Sequence, residues 1–139
     1  MTKMNPKVRK STYTLKLELP GLPRMTNPSG RKNHWRDRHK ESQKWKELVA
    51  LSVGRNKPPH PLKKAKLKLI RYSSVSPDPD GLVSGFKHII DGLVSCGVLY
   101  NDKMENIGMP HYDWQRTSPK KGKVSIEVEE VNVEKSNYV

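Results

Sequence analysis

Four aspartates lie close together in the middle of the sequence: Asp78, Asp80, Asp91 and Asp102. The chain as a whole is strongly basic, with 27 Lys and Arg residues against 14 Asp and Glu and a formal net charge of +13. A surface that attracts phosphate gains nothing from grouped carboxylates unless a divalent cation separates them from the phosphate, because the ion reverses the local charge. The contrast therefore points to metal-dependent chemistry on a phosphodiester.

The carboxylates predict a hard-metal site. Asp78 and Asp80 flank Pro79, and residues two apart in an extended segment project to the same side. We therefore expect both to bind one ion, with Asp102 as a third ligand from a later loop. Oxygen ligands suit Mg²⁺, or Mn²⁺ in its place, rather than zinc. Asp78, Asp80 and Asp102 are thus the predicted metal ligands and catalytic residues.

A lysine accompanies these acids on a predicted helix from Gly81 to Ser95, which Asp80 is expected to cap. At about 100° per residue, Lys87 and Asp91 fall on the same side as Asp80. We expect Lys87 to stabilise charge on a phosphate oxygen as a catalytic residue, and Asp91 to support the metal ligands. The opposite side is the predicted core face: Leu82, Val83, Phe86, Ile89, Ile90, Leu93 and Val94.

The same residues also have purely structural interpretations. Asp-Pro-Asp-Gly is a common turn sequence, and Lys87 with Asp91 has the spacing of a solvated surface pair. The alternative is therefore a non-catalytic, basic, structure-specific DNA-binding protein whose acids are structural. A restriction-type nuclease site needs an acid two residues before a lysine on a following strand, and the adjacent Asp102 and Lys103 do not provide it.

Cations suggest where nucleic acid would bind, since clustered Lys and Arg favour polyanionic partners. The predicted DNA-binding residues are those at the start of the first helix and in a later turn: Arg31, Lys32, His34, Trp35, Arg36, Arg38, Lys40, Lys120 and Lys121. A membrane partner is not expected, because the basic segment lacks an apolar face.

The elements that must position these residues follow from periodicity. Alternating apolar residues predict strands, and 3.6-residue periodicity predicts helices. The expected order is strand 13–19, helix 34–53, strand 65–72, helix 81–95, and strands 107–114 and 124–128. This order predicts a two-layer α/β fold in which a small mixed β-sheet carries two helices on one face.

The 139 residues amount to one domain. We expect a basic flexible arm at 1–10, a single domain at 11–131 and a frayed tail at 132–139. Cys96 is the only cysteine, so no internal disulfide can form. No segment reads as a signal peptide or a membrane span, which favours a cytoplasmic protein.

The central motifs resemble the RusA family of Holliday junction resolvases, which are phage- and prophage-type endonucleases. The matching residues run from Asp78-Pro-Asp-Gly-Leu82 through Lys87, Asp91-Gly-Leu93 and Gly97 to Asn101-Asp102. Weaker similarity at Leu19-Pro-Gly-Leu-Pro23, Asn27-Pro-Ser29 and His34-Trp-Arg36 extends the resemblance over roughly 15–128.

This resemblance implies a RusA-like fold and a homodimeric, Mg²⁺-dependent endonuclease that cuts four-way DNA junctions in recombination and repair. The expected location is the bacterial nucleoid or a phage-infected host. The resemblance assigns catalytic roles to Asp78, Asp80, Asp102 and Lys87. The chain departs from the family pattern in three places. Gly81 replaces the usual Asn, Lys87 lies seven rather than four residues after Asp80, and Asn101 replaces the first acid of an Asp-Asp pair.

Overall fold

A computed structural model describes residues 12–24 and 35–131. The predicted arm at 1–10 and tail at 132–139 lie outside these ranges. The described elements are β1 (Thr14–Pro20), α1 (Trp35–Val53), β2 (Ala65–Ser73), α2 (Pro79–Gly85), α3 (Lys87–Ser95), α4 (Met104–Ile107), β3 (His111–Arg116) and β4 (Lys123–Glu130). Short 3₁₀ turns occupy Gly54–Asn56 and Pro119–Lys121.

The strands form one mixed sheet in the order β1-β4-β2-β3. β4 is antiparallel to both β1 and β2, and β2 is parallel to β3. Consequently β1, β2 and β3 all run in one direction, and their last residues, Pro20, Ser73 and Arg116, lie at one end of the sheet. We call this end the carboxyl edge and the opposite end the amino edge. The predicted mixed α/β fold is confirmed.

Alternation along the strands places the core on one face of the sheet. In β1 the leucines are buried while Lys16 and Glu18 are exposed, because successive strand residues point to opposite sides. Leu17 and Leu69 both lie opposite Ile126 across the sheet. Trp45 of α1 is fully buried in the same core.

The second predicted helix differs from the structure at its start and middle. It begins at Pro79 rather than Gly81, since proline is favoured at the first helical position. Asp78, not Asp80, is the N-cap, so that prediction was wrong. The helix is interrupted at Phe86, which separates α2 from α3. Val83, predicted to be in the core, is 46% exposed.

The strand predicted at 107–114 was placed too early. Residues Met104–Ile107 form a helical turn instead, and it ends at Gly108, whose positive φ of 58° suits glycine. The strand then runs from His111 to Arg116. In the described ranges we find no helix with the length and apolarity that crossing a bilayer requires.

Candidate functional site

Asp78 and Asp80 lie together at the N-terminus of α2. Asp78 has extended backbone angles, and its Oδ1 accepts a hydrogen bond of 3.2 Å from the Gly81 N–H. Asp80 occupies the first turn, where the positive end of the helix dipole stabilises a carboxylate. The expectation that both residues lie in one extended segment was therefore wrong. The two exposed carboxylates therefore lie side by side at the start of a helix rather than along an extended strand.

The carboxyl edge also gathers cations. α1 starts at this edge because it follows β1, and the backbone N–H of Arg24 bonds Glu41 of α1 at 3.0 Å. Arg38 and Lys40 are exposed in the first half of α1. The basic turn after β3, which includes Lys120 and Lys121, is exposed at the same edge. The two aspartates therefore share one end of the sheet with positive charge from two separate segments.

The other predicted DNA-binding residues are only partly described. Arg31, Lys32 and His34 lie outside the described residues. Trp35 and Arg36 form the beginning of α1. Their proposed contacts with DNA remain predictions.

The remaining predicted site residues line a groove of about 370 Å³ beside the helix pair. Lys87 and Asp91 line it from α3, and Asp102 lines it from the following loop. Ser84 of α2 lies beside them in the groove lining. The Lys87 Nζ lies 3.8 Å from the Asp91 Oδ2, so these residues form the predicted i,i+4 pair. The groove is otherwise largely apolar, and three of its side chains are well exposed: Val83 (46%), Met104 (64%) and Met109 (75%).

Asp102 approaches this groove from the amino edge. The segment before it is held there, because Leu62, which precedes β2, bridges Leu99 and accepts a bond of 2.9 Å from the Tyr100 N–H. Asp78, by contrast, follows the carboxyl end of β2. Within 12–24 and 35–131, no three His, Cys, Asp or Glu side chains form a group that could hold a metal ion. Within one chain, Asp102 therefore does not join Asp78 and Asp80 in a three-ligand group.

The type of ligand nevertheless fits Mg²⁺. Asp78, Asp80 and Asp102 are exposed carboxylates, and carboxylate oxygens are the donors that Mg²⁺ prefers, usually one or two from protein with water completing the shell. The fit is therefore good in chemistry. However, the described residues of one chain do not bring together the three aspartates that the sequence predicted as ligands.

Two charged residues near the carboxyl edge, one half-buried and one buried, were not singled out from the sequence. Burial opposes ionisation of Glu41, but hydrogen bonds from the Arg24 N–H and the Trp45 indole, together with nearby Lys44, lower its pKa. Burial lowers the pKa of Arg71, which is 8% exposed and donates to the Pro23 carbonyl at 3.0 Å. Strand parity could have revealed Arg71, because it shares the buried face with Leu69.

Comparison with known proteins adds no family assignment. No protein-family model matches the chain, and no curated protein matches it in sequence.

Proposed function

We propose that the protein is a Mg²⁺-dependent, structure-specific endodeoxyribonuclease that resolves four-way DNA junctions as a homodimer. The observation that supports this best is the exposed Asp78–Asp80 pair at the start of α2, on an edge of the sheet that also presents cations. In open α/β sheets, ligands commonly bind outside the carboxyl ends of the strands. The carboxyl edge is therefore the expected position for a substrate.

The cationic and acidic side chains at this edge have different roles in the proposal. Exposed Arg38, Lys40, Lys120 and Lys121 bind DNA phosphates and hold the backbone against the acidic pair. The hydrogen bond from the Gly81 N–H holds the Oδ1 atom of Asp78. The side chain is therefore already oriented, and its second oxygen can bind a metal ion. Asp78 and Asp80 would hold a Mg²⁺ ion, which would supply charge neutralisation and activate a water molecule. Lys87 stabilises charge on a phosphate oxygen from the groove.

A second copy of the chain completes the ligand set in this proposal. Asp102 follows the bridge at the amino edge, and Asp78 lies at the carboxyl edge of the same chain. In the proposed dimer, a two-fold partner brings an Asp102 to each aspartate pair. A C₂ dimer repeats the arrangement, giving two equivalent sites for the two strands of a junction. Exposed Val83, Met104 and Met109 beside Asp102 provide apolar surface for such a contact.

Cleavage assays test the function directly. We expect wild-type protein to cut a synthetic four-way junction with Mg²⁺ or Mn²⁺ and to cut linear duplex much less. It should cut neither substrate when a chelator removes the metal. Asp80→Asn should abolish cutting. Asp113→Asn is the matched control, because Asp113 is an exposed aspartate in β3 outside the proposed site. Equal cleavage by wild type and Asp80→Asn would exclude this assignment.

A non-catalytic junction-binding protein is the second candidate. It is favoured by one observation, that no described group of three ligands forms within a single chain. The same assays separate the candidates, because a binder retains affinity for the junction in chelator and cuts no substrate with any divalent ion.

A further inference from the structure

The loop that leads to Asp78 begins with three consecutive hydrogen-bonded carbonyl groups, those of residues 73 to 75, and two of them accept bonds from the end of β3. The Ser73 carbonyl accepts from the Thr117 N–H at 3.1 Å, and the Val75 carbonyl accepts from the Ser73 hydroxyl at 2.8 Å. Between them, the Ser74 carbonyl accepts from the guanidinium of Arg116 at 2.6 Å. The end of β3 therefore fixes the start of the acidic loop.

Arg116 is itself held in a defined orientation. Its Cζ lies 5.0 Å from the centroid of the Trp114 ring, and its Nη1 bonds the Ser74 carbonyl. The Trp114 ring is fixed in turn by a 3.0 Å bond from its Nε1 to the Ser73 hydroxyl. A stacked, hydrogen-bonded guanidinium has lost most of its rotational freedom before any ligand arrives. The side chain is nevertheless exposed to solvent.

Arg116 lies at the same end of the sheet as Asp78 and Asp80. Tyr112 contacts Phe86 between the helices, with ring centroids 6.0 Å apart, so Tyr112 marks the helix-covered face of β3. Arg116 is four residues further along the strand and faces the same side. As the last residue of β3, it lies at the carboxyl edge, where α2 begins with Asp78.

We propose that Arg116 binds a backbone phosphate of the DNA strand that occupies the Asp78–Asp80 site; this rests on the proposed function. A guanidinium has five N–H donors in a planar fork that matches phosphate oxygens, and the bond to Ser74 uses one of them. Arg116 thus differs from the basic turn at Lys120 and Lys121, whose flexible ammonium groups act as point charges.

The test is DNA binding in chelator, where cleavage cannot interfere, across a series of salt concentrations with a four-way junction as probe. We expect Arg116→Gln to weaken binding about tenfold and to reduce the salt slope by about one. Arg116→Lys should keep the slope and recover only part of the affinity. Arg55→Gln, which removes an exposed arginine at the amino edge, should bind like wild type.

The outcomes separate this inference from the nuclease proposal. If Arg116→Gln and Arg55→Gln bind alike, Arg116 does not contact DNA, whatever the protein cleaves. The phosphate contact is also excluded if Arg116→Gln lowers the melting temperature while affinity and salt slope stay unchanged, since the residue then only supports the loop. If the predicted binding losses occur but wild type never cuts, the phosphate contact stands and the nuclease proposal fails.

Discussion

Gly92 of α3 and Val49 of α1 lie at the closest approach of the two long helices. A Cβ atom added at position 92 would be 3.1 Å from the Val49 Cβ and 3.2 Å from the backbone Cα of Lys46. A side chain at position 92 would require Val49 and the adjacent backbone of α1 to move by a few tenths of an ångström. The contact sets the position of α1, and with it the cations at its start, relative to the helix that carries Lys87 and Asp91.

Gly92→Ala should therefore destabilise the fold. Alanine improves helix propensity by up to about 1 kcal/mol, but overpacking against a backbone atom typically costs about 1–3 kcal/mol. We expect a net loss in the free energy of unfolding, measured by urea denaturation. The control is Ser95→Ala at the exposed end of α3, because this substitution changes helix propensity without changing packing. A Gly92→Ala protein as stable as wild type or more so would show that the helices separate easily.

Trp114→Phe tests the anchor of the acidic loop. The substitution removes the indole donor that bonds the hydroxyl of Ser73, a residue that is only 3% exposed. Loss of one buried hydrogen bond should cost about 1 kcal/mol. The measurement is a double-mutant cycle with Ser73→Ala, because the coupling energy isolates the bond from the change in ring size. Additive effects of the two substitutions would mean that the bond contributes nothing.

Local sequence patterns predicted the sheet well. The leucines of β1 and the Ala-Leu-Leu alternation of β2 each mark one buried face. Alternation of apolar and polar residues is typical of a strand and does not fit a helix. The start of α2 was missed by two residues because Pro79 and the cap at Asp78 outweighed the weak helix propensity of Gly81. That choice depends on capping geometry, which periodicity does not report.

The sequence proposed residues for the candidate site but could not give their arrangement. Asp102 and Asp78 are 24 positions apart in sequence, and their separation depends on the bridge between Leu62 and Leu99, a long-range contact. The loop anchor at Arg116 likewise depends on the parallel pairing of β2 with β3. Strand order has no local signature, so neither relationship could be read from the chain.

Stability should depend on pH through His88. Burial lowers its pKa below the ordinary 6.5, and Lys87 and Lys46 act in the same direction, while Asp91 and Glu41 oppose them. The unfolded chain then binds a proton at higher pH than the folded chain. Stability due to this residue is therefore complete above about pH 7 and falls as pH drops through about 6.5.

The measurement compares unfolding of wild type and His88→Gln at about pH 5.5 and about pH 7.5. Glutamine does not titrate, so the variant should gain stability relative to wild type at the lower pH. The lowered pKa of Glu41, which lies near His88, keeps its titration apart from that of the histidine. An equal difference between the proteins at both pH values would show that His88 titrates alike in both states.

Mixing two inactive variants tests whether a second copy supplies Asp102. In the proposed dimer each site combines Asp78 and Asp80 of one chain with Asp102 of the other. A heterodimer of Asp80→Asn and Asp102→Asn then has one fully damaged site and one intact site. Random exchange makes half of the dimers mixed, so about a quarter of the wild-type strand nicking should return. Mixing Asp78→Asn with Asp80→Asn is the control, because every resulting site retains a substitution. Recovery in neither mixture, with wild type and all three variants dimeric by sedimentation, would place all three aspartates of a site on one chain.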